Sequence, residues 1–568
     1  MRLWRRKGGG PAQAGAIVVE GARKAGGGRS RSRVFMAMAV LFAIYAAIGA
    51  RLVHLGMAEE DVARLPESRP TASRPDIVDR NGEVLATDIK TASLYAEPRR
   101  IAFIDETIEK LQTVLPDLDY EQTYRRLDSD AGFVWLRRQL SPRQQAEILA
   151  LGIPGLGFRT EKRRFYPGGP TASHILGLVN IDNKGIAGLE KYIDDQGLAD
   201  LQALGLASPE TLKPVRLSID LGAQHVLRDE LARAMERYQA IAAGGVILNA
   251  RTGEVMAMAS LPDYDPNNPH NALEKDRLNR MSAGVFEMGS TFKLFTTAMA
   301  LDSGLVSIDD RFDATRPLRF GRFTINDFHG KHRVLSVPEI FIYSSNIGTA
   351  KMADVVGIEG HREFLKRIGL LNRLETELPE VAHPTEPREW KKLNSITISY
   401  GHGMATTPLQ TAVAAAAMLN GGKLMPPTFL PRSQEEAQAV ARQVISPETS
   451  AQMRYLFRLN AEKGSGRRAR VEGYSVGGKT GTAEKVVNGR YSSDARFNAF
   501  IAGFPADDPD YVVLVVIDEP KPERPGIGAT AGLNAAPTVA NIIRRAAPIL
   551  GVQPDFGHES EALLVSYQ

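Results

Sequence analysis

The clearest alternation of apolar and turn-forming stretches lies in the second half of the chain. Two apolar runs, Gly244 to Asn249 and Glu254 to Ser260, have the length of strands and are separated by the turn-forming residues 250–253. Phe497 to Phe504 and Tyr511 to Ile517 repeat this arrangement much later in the chain. Each pair predicts a β-hairpin whose strands are buried on at least one face.

Helical patterns lie between the two hairpins and after the second one. They cover residues 291–301, 406–419 and 537–550. Strands and helices at the two ends of a segment, enclosing a helical insert, are typical of an antiparallel sheet covered by helices. The predicted fold class is therefore α+β.

A smaller β-containing module precedes this fold. Apolar pairs flank Asn81-Gly82, a dipeptide suited to the positive φ of a tight hairpin turn. Residues 106–160 have a mostly helical, amphipathic pattern. The pattern breaks around Ser208 to Pro214, after which a strand followed by a helix begins at Val215, so we expect a domain boundary there.

Near the N terminus, Val34 to Ala50 form an apolar segment of seventeen residues without a charge. A helix of this length spans about 25 Å, enough to cross a bilayer once if Arg51 and His54 reach the interface. Residues 1–33 carry nine Lys or Arg and one Glu, a charge of +8, and such a basic flank stays in the cytoplasm. We therefore expect a single transmembrane anchor, with everything after residue 55 outside the inner membrane.

Three other interpretations of this terminus stay open: a buried core helix, a cleaved secretory signal and, for the basic tail, a nucleic-acid-binding segment. The apolar part of a signal is usually shorter, about 7 to 15 residues, which favours an uncleaved anchor. The rest of the chain holds 61 of the 70 basic and 65 of the 66 acidic residues, a net charge of −4. The basic balance of the whole chain therefore gives no support for a nucleic-acid-binding body.

Composition narrows the possible chemistry. With 568 residues, 43% of them apolar and 24% charged, the chain is neither disordered nor a polytopic membrane protein. It contains no cysteine, which excludes disulfide scaffolds, cysteine nucleophiles, thiolate zinc sites and iron–sulfur clusters.

The first motif with candidate chemistry is Ser290-Thr291-Phe292-Lys293. If Ser290 starts a helix, Lys293 lies one turn further on and both side chains project from the same face. A hydroxyl needs a base within reach to become a nucleophile, and a desolvated lysine with a lowered pKa can supply it. The alternative interpretation is an N-capping serine beside a solvated lysine.

Two more short motifs follow. Ser344-Ser345-Asn346 comes 54 residues after Ser290 and, by itself, is typical of a polar turn or helix cap. Lys479-Thr480-Gly481-Thr482 begins 135 residues after Ser344, and with Gly473 it also matches a phosphate-binding loop. That loop needs a helix directly after it, whereas 482–489 has a polar, turn-like pattern.

Ser-x-x-Lys, Ser-x-Asn and Lys-Thr-Gly, in this order, are the motif set of penicillin-binding proteins and class A β-lactamases. From its basic tail to about residue 550, the chain resembles a class B penicillin-binding protein, most closely the division-specific FtsI type. DRNGEVLA at 79–86, RRFYPGG at 163–169 and SYGHGMATTPLQ at 399–410 add to the resemblance. Asn346 favours the division type, because the elongation-type relative usually carries Asp there.

The resemblance implies a peptidoglycan D,D-transpeptidase acting at the division septum. Ser290 would attack the penultimate D-Ala carbonyl of a stem peptide, release the terminal D-Ala and form an acyl-enzyme. Lys293 would be the base, Ser344 would relay a proton to the leaving amine, and Asn346 would hold Lys293 or the substrate amide. Penicillins would be trapped on Ser290 as a slowly hydrolysed ester.

The third motif would bind substrate, again by resemblance. Lys479 would add positive potential, Thr480, Gly481 and Thr482 would bind the terminal carboxylate, and the backbone N–H groups of Ser290 and Thr482 would form the oxyanion hole. The resemblance implies no metal and no cofactor.

The expected organisation has five parts. They are a cytoplasmic tail (1–33), a transmembrane anchor (34–55), a pedestal of the dimerisation type (56–213), a penicillin-binding or β-lactamase-like transpeptidase domain (214–550) and a C-terminal tail (551–568).

The implied partners are peptidoglycan stem peptides ending in D-Ala-D-Ala, β-lactam antibiotics, the inner membrane, an FtsW-type glycosyltransferase and other division proteins, with no nucleic acid among them. Two other functions stay open: a β-lactamase that deacylates rapidly, and a catalytically silent division scaffold.

Overall fold

The computed structural model describes residues 36, 38–50, 74–196 and 212–556, except 322 and 488. The chain divides into two compact units. The first takes in Leu94–Arg138 and Arg143–Phe158, and the second takes in residues 74–93, Gln139–Pro142 and the chain from Arg159 on.

The helices are numbered here in chain order from residue 104. They are α1 (Ile104–Val114), α2 (Tyr120–Leu127), α3 (Pro142–Ala150), α4 (Ser173–Leu176), α5 (Gly188–Asp195), α6 (Leu221–Tyr238), α7 (Phe292–Asp302), α8 (Val337–Tyr343), α9 (Asn346–Arg367), α10 (Lys392–Ser399), α11 (Pro408–Leu419), α12 (Gln434–Val440), α13 (Pro447–Lys463) and α14 (Ala535–Ala546).

The strands are β1 (Ile77–Val78), β2 (Val84–Ala96), β3 (Val134–Leu140), β4 (Leu156–Phe165), β5 (Leu178–Val179), β6 (Gly185–Ala187), β7 (Val215–Arg216), β8 (Ala242–Asn249), β9 (Val255–Leu261), β10 (Arg311–Asp313), β11 (Leu318–Phe320), β12 (Phe323–Ile325), β13 (Val334–Ser336), β14 (Lys423–Leu424), β15 (Arg442–Gln443), β16 (Gly477–Val487), β17 (Arg490–Phe504) and β18 (Tyr511–Asp518).

A five-stranded antiparallel sheet forms the centre of the second unit, in the order β16-β17-β18-β8-β9. Both predicted hairpins are confirmed as β8–β9 and β17–β18, and β18 joins them by pairing with β8. All eight residues of β18 are buried, as expected for a strand covered on both faces. The predicted antiparallel sheet covered by helices is therefore confirmed.

Alternate residues of β8 point into two separate apolar clusters, one on each face of the sheet. Val246 and Leu248 belong to the cluster that also contains residues of α7 and α11. Ile247 belongs to the cluster built with α6 and α14. The sheet is thus the middle layer of three, and α7, which carries the first motif, lies against one face.

The three predicted helices of this part are confirmed as α7, α11 and α14, with ends that differ from the prediction by a few residues. The first ten residues of α7 are all buried, because its sequence is apolar around most of its circumference.

Within the smaller module, the turn predicted at Asn81-Gly82 is confirmed. Gly82 has a φ of 97°, and β1 pairs antiparallel with β2. The mostly helical reading of 106–160 is wrong in part, because β3 interrupts it and β4 begins within it. Val134 and Trp135 favour an extended backbone, and as members of a sheet they obtain their hydrogen bonds from neighbouring strands that the local pattern does not show.

Residues 38–50 form a helix whose apolar side chains are largely exposed, with Phe42 77% and Tyr45 69% accessible. Among the described residues, no helix is both long and apolar enough to span a membrane. Residues 34, 35, 37 and 51–55 of the predicted anchor lie outside the described residues, as do the basic tail and most of the C-terminal tail.

Candidate active site

The first motif lies at the start of α7. Ser290 is on a single 3₁₀ turn, Gly289–Thr291, that leads directly into the helix, and Thr291 closes this turn by donating its hydroxyl to the Met288 carbonyl at 2.7 Å. Lys293 follows in the first turn of α7 and is only 1% exposed. Ser290 and Lys293 thus both lie at the start of one helix, as predicted. Ser290 is half a turn before the first residue of the α-helix itself.

The second motif lies at the junction of two helices. Ser344 ends α8 in the left-handed conformation, with φ 56° and ψ 45°. Ser345 then caps α9, and its hydroxyl oxygen accepts from the Gly348 N–H at 3.0 Å. The chain therefore turns sharply at Ser344, between the two helices.

The third motif lies in a strand. Lys479 to Thr482 are part of β16, which pairs antiparallel with β17. The turn-like reading of 482–489 is wrong, because β16 continues to Val487; pairing with β17 outweighs the polar local sequence. The alternative of a phosphate-binding loop also fails, because a strand and not a helix follows Lys479.

These three elements bring two lysines to one hydroxyl. The Lys293 Nζ donates to Ser344 Oγ at 3.1 Å and to the Ser344 carbonyl at 2.5 Å. The Lys479 Nζ donates to the same Ser344 Oγ at 3.0 Å and to the Thr480 carbonyl at 3.1 Å. Side chains separated by as many as 186 positions in the sequence therefore form one polar cluster.

Glycines allow the Ser290 turn to fit closely against its neighbours. A Cβ on Gly481 of β16 would lie 2.5 Å from the Met288 carbonyl. A Cβ on Gly401, where φ is +92°, would lie 1.9 Å from the Gly289 carbonyl. The Ser290 turn is thus held between β16 and the loop after α10, in spaces that only glycine fits.

The hydroxyl of Ser290 makes no hydrogen bond to Lys293 or Ser344 within the described part of the chain. Ser290 is partly exposed, whereas both lysines are buried. Ser290 therefore remains partly open to solvent at the start of α7, whereas both lysines are closed to it.

Burial changes the protonation of both lysines. It lowers the pKa of Lys293 well below its usual value, and the neighbouring charge of Lys479 lowers that pKa further, while Asp327 opposes the change. Burial also lowers the pKa of Lys479 to about 7. Because both amines approach the same hydroxyl, the two titrations are coupled, and the cluster holds fewer protons at neutral pH than two ordinary lysines would.

The remaining predicted residues have partners of their own. The Asn346 side-chain amide donates to the Asn326 carbonyl at 2.8 Å, so in this structure Lys293 is held by Ser344. Thr480 Oγ1 bonds Ser465 Oγ at 2.7 Å. Thr482 Oγ1 accepts from the Ala531 N–H at 3.1 Å.

Sequence reasoning missed three residues next to this cluster. Asp327 binds the second motif through its carboxylate. Glu287, two residues before the Ser290 turn, accepts hydrogen bonds from the Gly403 N–H at 2.9 Å and from the Tyr491 hydroxyl at 3.1 Å, and so joins this part of the chain to two other elements. His402 is close enough for the charge of Lys293 to help burial lower its pKa, to about 4. Only SYGHGMATTPLQ, which contains His402, carried a signal, and Asp327 lies in no motif.

No group of three or more His, Asp or Glu side chains is arranged to hold a metal ion in the described ranges.

Two family models match the chain. The penicillin-binding protein transpeptidase domain matches residues 243–544, and the penicillin-binding protein dimerisation domain matches residues 69–198.

Individual relatives match over most of their length. A probable peptidoglycan D,D-transpeptidase FtsI of Caulobacter vibrioides is 40% identical over 85% of this chain and 82% of its own length. A probable peptidoglycan D,D-transpeptidase PenA of Neisseria gonorrhoeae is 34% identical over 92% of this chain and 93% of its own. The peptidoglycan D,D-transpeptidase FtsI of Escherichia coli is 28% identical over 88% of this chain and 87% of its own.

The matches cover the smaller module and the central sheet with its lysine cluster, in the same order along the chain. The chain therefore belongs to the penicillin-binding proteins, as an enzyme with a dimerisation domain followed by a transpeptidase domain of the penicillin-binding type.

Proposed function

We propose that this chain is a peptidoglycan D,D-transpeptidase that works through an acyl-enzyme on Ser290. The observation that carries the proposal is the meeting of two buried lysines at the Ser344 hydroxyl, beside the turn that presents Ser290. A water-poor cluster of this kind supplies a neutral amine and a positive charge at one place, which acyl transfer from an amide requires.

In the proposed acylation these residues act in sequence. The Ser290 hydroxyl attacks the penultimate D-Ala carbonyl, and its proton passes to Lys293, whose lowered pKa favours the neutral amine. The C–N bond then breaks, and Ser344 passes a proton to the leaving D-Ala amine. In the second half, the amine of a neighbouring stem peptide attacks the ester, a new amide forms, and the serine oxygen recovers its proton.

The third motif would bind the substrate's terminal carboxylate. Lys479 supplies positive potential, Thr480 and Thr482 supply hydroxyls, and Gly481 lets the strand approach the nucleophile turn. Asn346 would contact the substrate amide. The backbone N–H groups of Ser290 and Thr482 would hold the oxyanion, and losing one such donor typically costs about 3 kcal/mol of barrier.

A fluorescent penicillin tests this function. We expect wild-type protein to form a covalent adduct that persists for many minutes, and Ser290→Ala to form none. Ser307→Ala is the matched control, because Ser307 is an exposed serine beyond the far end of α7.

The other outcomes identify the alternatives. Rapid loss of the label together with hydrolysed drug indicates a β-lactamase. Equal labelling of wild type and Ser290→Ala removes Ser290 from its role. Absence of any adduct, with no cross-linking of stem peptides, indicates a scaffold without catalysis.

The proposal includes a single membrane anchor at 34–55, with the tail 1–33 in the cytoplasm and the pedestal (56–213) and transpeptidase domain (214–550) in the periplasm. Its support is the +8 charge of the tail and the seventeen uncharged residues that follow. Protease treatment of spheroplasts should cleave the domains from outside, and protection of the domains would contradict this arrangement.

We also propose that the chain acts at the division septum with an FtsW-type glycosyltransferase and other division proteins. The supporting observations are Asn346 in the second motif and the two FtsI relatives. A fluorescent fusion should gather at midcell, and a uniform distribution along the cell would contradict this role.

A further inference from the structure

The loop between β12 and β13 binds three consecutive residues of the helix junction at the second motif. Asp327 Oδ2 accepts from the Ser345 hydroxyl at 2.7 Å, and its Oδ1 accepts from the Ile347 N–H at 2.9 Å. The Asn326 carbonyl accepts from the Asn346 amide at 2.8 Å. One short loop segment therefore fixes the start of α9 from outside the helix.

These contacts to the start of α9 matter because Ser344, the residue just before them, has a strained backbone. Ser344 has a φ of 56°, a conformation that costs a non-glycine residue about 1 kcal/mol or more and persists only when the surroundings impose it. Both lysines bond to Ser344, so the position of their common acceptor depends on what holds the following residues. Asp327 makes two of those three holding contacts.

Charge gives Asp327 a second effect on the same cluster. Two titratable groups act on the charge of Lys293: Lys479 from β16 and Asp327 from the loop before β13. Lys479 is a base. Asp327 is the acid of the pair, and its negative charge opposes the loss of the Lys293 proton that burial and Lys479 favour.

We propose that Asp327 is a positioning residue of this active site, whose carboxylate holds the Ser344 turn under the two lysines and balances their charge. The inference rests on the proposed function. It adds a residue that touches neither substrate nor nucleophile and acts through Ser344 and Lys293.

Three variants separate the two effects in the full-length protein. Asp327→Asn keeps the shape, because the Asn oxygen still accepts from the Ile347 N–H and its amide can donate to Ser345, but the charge is lost. Ser345→Ala keeps the charge and removes one of the holding bonds together with the cap of α9. Asp313→Asn is the matched control, since Asp313 is an exposed carboxylate on β10 that bonds only the nearby Thr315 in the described structure.

The measurement is the second-order rate of penicillin acylation as a function of pH. Loss of the negative charge disfavours the protonated amine of Lys293. Asp327→Asn should therefore move the acid limb of the pH–rate profile to lower pH by about one unit. Ser345→Ala should lower the rate about fivefold at every pH without moving the limb. Asp313→Asn should coincide with wild type.

A second readout does not depend on acylation. The rate at which cyanate carbamoylates Lys293, located by mass spectrometry, should show the same downward shift in Asp327→Asn. An unchanged midpoint in that titration overturns the inference about Asp327. Failure of the wild type to form a Ser290 adduct, with the shift still present, overturns the proposed function alone.

Discussion

At the scale of single residues, the site depends on charges that are costly to bury. Lys479 is fully buried, and burial lowers its pKa from an ordinary value of 10.5 to about 7. The unfolded chain therefore binds this proton more tightly than the folded protein does, and stability rises with pH between about 7 and 10.5. Below pH 7 the whole cost is present, on the order of 3 to 5 kcal/mol.

Lys479→Met should consequently make the protein more stable and inactive. We expect a higher free energy of unfolding than wild type at pH 6, a gap that narrows as the pH rises toward 10, and no penicillin acylation. Urea unfolding at several pH values measures the gap. Parallel pH dependences of the two proteins would show that Lys479 carries no such cost.

At the scale of elements, close backbone contacts position the Ser290 turn. Gly401 in the loop after α10 has a positive φ, and its missing Cβ leaves room for the Gly289 carbonyl. Gly401→Ala should push the Ser290 turn away from the loop after α10 and against β16, lower the acylation rate at least tenfold and destabilise the protein by roughly 2 kcal/mol or more.

Gly304→Ala provides the matched control for that change. Gly304 also has a positive φ, of 70°, but no atom lies within 4 Å of the added carbon. This variant should lose about 1 kcal/mol of stability and keep its acylation rate. Rates are compared per folded molecule, and equal acylation by the two variants would contradict the positioning role of Gly401.

The elements that sequence predicts well are those whose signal is local. The hairpins β8–β9 and β17–β18 and the helices α7, α11 and α14 each carry their own apolar period. The strand character of residues 482–487 in β16 depends on pairing with β17, and β3 likewise belongs to a sheet formed with distant strands. Such pairing lies outside any local window, so local patterns missed both.

The same distinction applies to the site. Ser290, Lys293, Ser344 and Lys479, the residues of the proposed site, were singled out by motif, because the proposed chemistry requires fixed residue types at short spacing. The partners of those residues are set by tertiary folding. Asp327 precedes the second motif by 17 positions on a different element, and nothing in its neighbourhood marks it.

At the scale of the whole molecule, a buried network of ion pairs joins Arg74, at the start of the described range 74–196, to α5. Glu190 is inaccessible to solvent and accepts from Arg74 Nε at 2.8 Å and from Arg164 Nε at 2.6 Å. Asp88 and Asp194 complete the network. These residues are as far apart as 120 positions in the sequence, and their pairing was not predictable from composition or local period.

Glu190→Ala should therefore cause a large loss of stability. The variant leaves two buried guanidinium groups without their shared acceptor, a change that typically costs about 3 to 5 kcal/mol. Glu147→Ala, which removes a solvent-exposed ion pair with Arg143 on α3, should change stability little. Thermal unfolding of the two variants measures the difference, and similar melting temperatures would contradict the importance of the network.

The Ser344 hydroxyl, the acceptor shared by the two lysines, is also held in one orientation. A serine hydroxyl has two lone pairs and one hydrogen. In Ser344 both lone pairs are occupied, one by each lysine amine. Its single hydrogen then points away from both amines. In the proposed mechanism this is the proton that passes to the leaving amine, and replacing it requires a proton from one of the two lysines.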